Sequence, residues 1–338
     1  MALNHTVRII PHERTFSVAE HQPVLSAALL AGLPLPHSCR SGRCGSCRAR
    51  LLQGRIEYPG PPPLGLSALE TQEGYVLLCQ ALARTDLLVE ARPVQSAAAA
   101  EIKTLRARIE QRVQLAPDVL QLVLRVPAAE SMEFQAGQYL DVLLEGGLRR
   151  SYSVANAPNA GSQLELHVRQ IAGGAFSDAL LGNLRAGATL KIEGPLGRFL
   201  YQSSAAPVIF IAGGTGFAPI KAMLGQALSE AAPRELHLYW GARTPSGIYE
   251  AALLHEWADR HARLKVHTVL SDTTARSGAQ RTGWVHEAVL EDHPSLAPFA
   301  VYAAGPPAMI AAIERTFPAR GVPAEQLHLD SFDYAVDP

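Results

Sequence analysis

The feature that most constrains this chain is its use of cysteine. Cys39, Cys44 and Cys47 are spaced C-x4-C-x2-C, and Cys79 is the fourth and last cysteine of 338 residues. Three close thiols with a distant fourth is the spacing of a binuclear iron–sulfur centre held by four thiolates. A loop that wraps such a centre must curve tightly and turn backbone N–H groups toward sulfur, and Gly42 and Gly45 permit that. Structural zinc is the alternative for four cysteines. Zinc usually takes paired short knuckles, and only Cys44 with Cys47 makes one. A Rieske centre needs two histidine ligands, and although His37 lies two residues before Cys39, no second Cys/His knuckle accompanies it. His37 is expected as a loop residue beside the centre.

With all four thiols in one site, none remains for disulfides, which fits a reducing cytoplasm. Met1 to Val7 show no charged segment leading into an apolar one, so no secretory signal is read there. The longest apolar runs, such as Pro207 to Ala212, are too short to span a membrane. A formal net charge of −1 offers no field to attract nucleic acid or anionic lipid. The length allows two or three domains, and 48% apolar residues suffice to give each a core.

Thr6 to Ile10 and Arg14 to Val18 read as a hairpin turning at Pro11 and His12. Pro23 stands at a helix start, Leu25, Ala28 and Leu29 form an apolar face, and Gly32 followed by Pro34 ends it. Arg48 to Leu52, Tyr75 to Cys79 and Asp86 to Ala91 are further strands, so a helix on a small mixed sheet is expected. At Cys39 to Cys47, with Gly74-Tyr-Val-Leu-Leu-Cys79-Gln80 downstream, this segment resembles the β-grasp ferredoxin module. The resemblance implies that Cys39, Cys44, Cys47 and Cys79 ligate iron in a [2Fe-2S] cluster. Val94 to Glu101, with four alanines in a row, read as a linker.

After Ile102 the pattern changes to strands separated by Pro and Gly. Leu120, Leu122, Leu124 and Val126 alternate with Gln121, Val123 and Arg125, and Leu164, Leu166 and Val168 alternate with Glu165, His167 and Arg169. An antiparallel sheet or barrel with one face buried follows. Arg150-Ser151-Tyr152-Ser153 stands within it, and His167-Val168-Arg169 leads into Gly173-Gly174-Ala175-Phe-Ser177. These segments resemble the flavin domain of the ferredoxin-NADP reductase superfamily, with its R-x-Y-S and G-G-x-x-S/T signatures. The resemblance implies FAD in preference to FMN. An arginine such as Arg150 clamps pyrophosphate bidentately, an aromatic such as Tyr152 stacks on the isoalloxazine, and Ser153 hydrogen-bonds near flavin N5. Gly173 and Gly174 bring backbone N–H groups to phosphate, and Ser177 falls in the first turn of a helix expected over about 175–181. Glu193 to Gly197 reads as a structural turn closing this domain.

Pro207 to Ala212 suits a strand buried on both faces, and it runs into Gly213-Gly214-Thr215-Gly216-Phe-Ala-Pro219 and a helix through about Ser229. Strand, glycine turn and helix begin a doubly wound sheet, and Leu236 to Trp240, Leu264 to Leu270 and Phe299 to Ala304 supply further parallel strands. The turn lacks the third glycine of the common dinucleotide fingerprint. It resembles instead the G-G-T-G-x-x-P turn of the same reductase superfamily, in which Gly214, Thr215 and Gly216 contact the nicotinamide dinucleotide. Tyr239 to Arg243 and Tyr302-Ala-Ala-Gly305-Pro306-Pro-Ala-Met309 extend the likeness, at carboxyl ends of strands where ligands bind. Many relatives carry cysteine where this chain has Ala304, so a thiol there is not required. Asp330-Ser-Phe332 matches an acid–spacer–aromatic ending, in which Phe332 covers the flavin or is an ordinary edge residue. Arg243 could meet a 2′-phosphate, pyrophosphate or Glu250, and no acid follows the second strand to bind a ribose hydroxyl. Lacking a basic cluster around Arg243, the sequence points to NADH, with NADPH the alternative.

The expected architecture is therefore multidomain, α+β, β and α/β in turn. It comprises a β-grasp ferredoxin domain over 1–93, a linker over 94–101, an antiparallel β-barrel flavin domain over 102–203 and a doubly wound nicotinamide domain over 204–338. The whole resembles ferredoxin-fused reductases of the ferredoxin-NADP reductase superfamily, most of all the CDP-6-deoxyglucoseen reductase group through Arg150 to Pro158, Ala212 to Pro219 and Val285 to Pro294. The resemblance implies hydride transfer from NAD(P)H to FAD, with Ser153, Tyr152 and Phe332 about the flavin. Single electrons then pass through the cluster to a partner protein: an oxygenase, monooxygenase or deoxysugar dehydratase component. Arg40, Arg43 and Arg48 are candidates for meeting that partner, or form a solvated loop. Two other readings stay open on sequence: a non-catalytic zinc and nucleotide sensor, and a flavin enzyme reducing a small molecule directly with the cluster as internal relay.

Overall fold

A computed structural model describes residues 4–11, 13–33, 35–37, 42, 47–60, 62–63, 66, 68–91, 102–127, 130–144, 149–158, 163–170, 185–197, 199–272, 274 and 281–332. The chain divides into two compact units, Met1–Ala99 and Ala100–Pro338. Both the linker expected over 94–101 and the helix expected over 175–181 fall outside the described residues.

The first unit contains β1 (Asn4–Ile10), β2 (Arg14–Ala19), α1 (Val24–Leu30), β3 (Arg48–Gln53), β4 (Ile56–Glu57), α2 (Ala68–Gln72), β5 (Tyr75–Leu77), β6 (Leu82–Ala83) and β7 (Leu87–Glu90). Five strands form one sheet in the order β2-β1-β7-β3-β5. β1 and β2 pair as the expected hairpin, whereas β1 and β7, from opposite ends of the unit, pair in parallel with Val7 opposite Leu87. Alternation puts Val7 and Ile9 inward against Val24, Leu25 and Ala28 of α1. Pro23 is the N-cap rather than the first helical residue, and its fixed φ of −58° suits that place.

The second unit begins with β8 (Lys103–Ala116), β9 (Val119–Arg125), β10 (Tyr139–Leu143), β11 (Arg149–Ser153), β12 (Gln163–Arg169) and β13 (Thr189–Leu196). They lie in the order β11-β10-β13-β8-β9-β12, and an isolated bridge from Val154 to Leu166 joins the two edges into a barrel. Leu120, Leu122, Leu124, Leu164, Leu166 and Val168 all enter its core. The segment read as a closing turn at Glu193 to Gly197 is different. Strand β13 continues to Leu196, opposite Tyr139, and the register shift between Tyr139 and Asp141 gives Pro195 a place in the sheet.

The nucleotide-fold part follows with β14 (Val208–Gly213), α3 (Phe217–Ser229), β15 (Leu236–Ala242), α4 (Ala251–Arg260), β16 (Leu264–Leu270), β17 (Arg281–Thr282), α5 (Val285–Asp292), β18 (Ala300–Gly305), α6 (Pro307–Thr316) and β19 (Leu327–Ser331). All six strands are parallel, in the order β17-β16-β15-β14-β18-β19. The edge strands β17 and β19 were not anticipated, being short and mixed in composition. Along β14, Val208, Phe210 and Ala212 face the layer of α3 and α4, while Ile209 and Ile211 face that of α5 and α6. That explains the unbroken apolar run. Truncating Phe210 to Ala would cost roughly 3–5 kcal/mol. Among the described residues no helix is long and apolar enough to cross a membrane.

Candidate electron-transfer sites

In the first unit, Cys47 and Cys79 are buried at the same end of the antiparallel pair β3–β5, where Arg48 lies opposite Leu77, and the Cys79 N–H donates to Cys47 Sγ at 3.4 Å. An amide aimed at a sulfur fits a thiolate set, because it stabilises negative charge on that atom. Burial, together with both cysteine sulfurs, raises the Tyr58 phenol above its usual value. Gly42 has φ of +76°, and a Cβ there would stand 2.9 Å from Gln80 Cγ and Pro63 Cβ. His37 donates Nδ1–H to the Leu35 carbonyl at 2.8 Å. Cys39 and Cys44 lie outside the described residues.

In the barrel, Arg150 to Ser153 run along β11 beside β10, with Ser151 Oγ donating to Asp141 Oδ1 at 2.7 Å. Arg150 donates to the Arg149 carbonyl at 3.0 Å. Tyr152 packs against the barrel core. Burial pushes its phenol well up, against the opposing charge of Arg150. Ser153 is buried opposite Tyr139. The chain then pairs onto β12: Ala155 N–H donates to the Glu165 carbonyl, and Glu165 N–H donates to Asn156 Oδ1, both at 2.8 Å. An arginine, an aromatic and a hydroxyl on one strand end are suited to a flavin phosphate and ring. Gly173, Gly174, Ala175 and Ser177 lie outside the described residues.

Strand β12 separates its two faces sharply. Val168 enters the barrel core, whereas Glu165, His167 and Arg169 point to the nucleotide part. His167 lies against Phe217 and edge-on to Tyr249, its ring centroid 5.4 Å from that of Tyr249. Phe217 stacks on Trp240 at 3.9 Å. The Trp240 indole N–H donates to the Gly214 carbonyl at 3.0 Å. From the barrel side, the Arg169 guanidinium stands 2.9 Å from where a Gly214 Cβ would be, and its Nε is 3.1 Å from Asp118.

The turn Gly214–Gly216 is a single 3-10 turn leading directly into α3, so its N–H groups open toward the carboxyl ends of β14 and β18. Thr215 is buried within it. A Cβ on Gly216 would collide with the Ala304 carbonyl, and one on Gly305 would stand 2.9 Å from Gly213 Cα. Two strand ends therefore meet backbone to backbone, with Pro306 capping α6 beside them. Phe332 N–H donates to the Gly305 carbonyl at 2.8 Å, and the Phe332 ring packs against the core under this corner. Arg243 is exposed at the end of β15. Glu250, one candidate for pairing with it, is engaged by Lys221 at 2.8 Å.

Each part also matches a known domain family. Residues 7–84 match the 2Fe-2S iron-sulfur cluster binding domain, 106–201 the oxidoreductase FAD-binding domain and 210–315 the oxidoreductase NAD-binding domain. The CDP-6-deoxy-L-threo-D-glycero-4-hexulose-3-dehydrase reductase of Yersinia pestis is 34% identical, over 98% of this chain and 99% of its own. The chain belongs to the ferredoxin-fused ferredoxin-NADP reductase superfamily. Reductase component 1 of the terephthalate 1,2-dioxygenase of Comamonas is 35% identical over 98% of both chains. A solved cytochrome P450 reductase of Amycolatopsis superposes with a TM-score of 0.80 at 33% identity, covering 97% of this chain and 98% of its own. As a member of this superfamily the protein is an NAD(P)H-dependent flavin iron–sulfur oxidoreductase, with a [2Fe-2S] cluster, FAD and NAD(P)H as its cofactors.

The sequence did not single out Lys221 or Tyr249, included Trp240 only within the Tyr239 to Arg243 segment, and raised Glu250 only as a partner for Arg243. A tryptophan on a buried strand reads as core, and a lysine on an amphipathic helix reads as surface. Lys221 is instead buried, with Nζ 2.6 Å from Glu165 Oε1. Burial opposes the charge of Glu165, but the hydrogen bond from His167 and the charge of Lys221 outweigh it and hold the carboxyl down at about 2.

Proposed function

We propose that this protein takes hydride from NADH and delivers single electrons to a protein partner in the cytoplasm. The partner is an oxygenase, a monooxygenase or a deoxysugar dehydratase component, the first and last being the kinds of protein that the Comamonas and Yersinia relatives are named for. The observation that carries the reading is the direct seating of the outer face of β12 on the glycine turn. It supports the reading because β12, bridged to the segment that follows Ser153, lies against Gly214 and Phe217. The domain boundaries proposed are 1–93, 102–203 and 204–338, with 94–101 as linker.

When bound, FAD converts a two-electron hydride donor into single-electron steps, which the [2Fe-2S] cluster relays. In this reading Arg150 neutralises the flavin pyrophosphate, assisted by Arg169 and by the backbone of Gly173, Gly174 and Ala175 with Ser177. Tyr152 stacks on the flavin ring, and Ser153 directs a hydrogen bond to N5. Ser151, Val168 and His167 support the two strands in place. Gly214, Thr215 and Gly216 bind the NADH phosphates with the amino end of α3, while Gly305, Pro306 and Phe332 close the corner against water. Arg243, exposed and without a basic cluster in the sequence, serves pyrophosphate, which favours NADH over NADPH. Cys39, Cys44, Cys47 and Cys79 hold the iron.

Anaerobic titration with NADH, then NADPH, tests this. Bleaching of flavin and iron–sulfur bands, at lower NADH than NADPH, with the paramagnetic signal of a reduced binuclear centre, is expected. A colourless protein, or one whose reduced cluster gives no such signal, defeats the proposal.

A further inference from the structure

The outer face of β12 carries a charge cluster that nucleotide or flavin binding does not account for. Lys221 Nζ lies 2.6 Å from Glu165 Oε1 of the barrel and 2.8 Å from Glu250 Oε1 of the nucleotide part. Glu165 Oε1 also accepts from His167 Nε2 and from Gln121 Nε2, both at 2.8 Å. With Nε2 donating to Glu165, His167 Nδ1 lies 3.1 Å from the Tyr249 hydroxyl, so both ring nitrogens have partners. Ligand atoms of Glu165, His167 and Glu250 all lie within 4.8 Å of one another, and the cation among them is the Lys221 ammonium. The side chains of Lys221, Glu165 and Glu250 are only 10%, 14% and 12% exposed.

Two buried carboxylates so close repel one another unless a cation lies between them, and a single missing partner in such a cluster is costly. The cluster spans two structural parts. Glu165 is fixed by its backbone to the segment that follows Ser153, and Lys221 sits one turn beyond the glycine turn on α3. We infer that Lys221 is a positioning residue for hydride transfer, clamping the flavin strand of the barrel to the nucleotide-binding helix so that donor and acceptor meet at a fixed approach. Small errors in such an approach are expensive, since a displacement of about 1 Å can slow a reaction roughly a hundredfold. The clamp rests on the reading that flavin lies at Arg150 to Ser153 and NADH at the glycine turn.

The other charged and titratable groups facing the clamp are His167 and Arg169 of β12, Tyr249 ahead of α4, and Asp118, which takes Arg169. Lys221→Met keeps the apolar stem and removes the charge. One of the two facing carboxyls then retains a proton into the neutral range. In the variant holoenzyme, flavin reduction by NADH should be roughly tenfold or more slower at about pH 8 and recover toward the wild-type rate near pH 6. The wild type should vary little over that interval. Lys221→Met/Glu250→Gln should restore the rate at the higher pH, because one carboxylate no longer faces another.

Flavin-free protein gives a second readout. A carboxyl whose folded pKa is raised contributes stability below its unfolded value and loses it as pH climbs through the folded one. Measured against the wild type at each pH, the unfolding temperature of Lys221→Met should therefore fall as pH rises, and that of the double variant should not. A single variant as fast as wild type at the higher pH, or a double variant as slow as the single, overturns the clamp. A wild-type flavin left oxidised by NADH defeats the functional reading instead, and the unfolding profiles still decide whether the Lys221 charge holds this junction.

Discussion

The cysteine set and the glycine turn are the two holding sites of the proposed function, yet they rest on different principles. In the first, the proposed holding atoms are side chains, three thiols of one short stretch and the distant Cys79, with no substitutes. The turn supplies N–H groups only, and its shape is lent by neighbours: the Trp240 indole on the Gly214 carbonyl, the Ala304 carbonyl against Gly216, and Arg169 from the barrel over Gly214. A site made of its own ligands fails as a whole when one is removed. A site shaped by several neighbours loses function by degrees.

Cys47→Ser tests the first half of that contrast with the largest expected effect. Electron delivery to a cytochrome-type acceptor should fall to the background of the assay, while dye reduction drawing on the flavin continues, because the reductase unit is a separate compact body. If both activities survive, the cluster is not on the route. In the turn, Gly216→Ala should come next, since its Cβ and the Ala304 carbonyl cannot both keep their positions. The backbone must move at the nucleotide contact, and NADH-driven flavin reduction should drop by about one to two orders of magnitude. Full activity in that variant would mean that the turn is pliable and the contrast false.

Trp240→Phe is gentler. It keeps the stack on Phe217 and removes the indole hydrogen bond to Gly214. The loss is about 1 kcal/mol, or roughly fivefold in NADH affinity measured by equilibrium titration. An effect as large as that of Gly216→Ala would make Trp240 the main determinant of the turn rather than one support among several.

What could be read beforehand follows the same division. Cysteine spacing is written in one short stretch, and the apolar run of β14 reports burial on both faces, so the [2Fe-2S] cofactor and the parallel sheet were legible. The face of β12 was not. Glu165, His167 and Arg169 alternate with apolar residues as a solvent-facing row would, and the pattern does not say that a second structural part covers that row. Lys221 is hidden for the same reason, because a buried lysine and a surface lysine look alike until Glu165 and Glu250, 56 and 29 residues away, are brought to it. β13 was misjudged because proline and glycine usually end a strand, and the shifted register beside Tyr139 accommodates them.

The smallest effect expected concerns the frame beneath the turn rather than the turn itself. Trp240 stands on β15, and His237, on the same strand, is buried beside His293 and His267, with ring centroids 4.8 and 6.3 Å away. Burial lowers all three imidazoles below their ordinary value. His293 adds to this at His237, and Glu235, 3.5 Å away, opposes it. When pH falls through the ordinary histidine value near 6.5, protons therefore bind the unfolded chain before the folded one, and stability is lost toward acid. In scanning calorimetry the transition of the unit that holds the glycine turn should move down between about pH 7.5 and pH 5.5, and His237→Phe should reduce that movement. An equal shift in the variant would remove the histidines as its cause, and the acid sensitivity of the frame would have to arise from its carboxylates, Asp292 with Arg281 first among them.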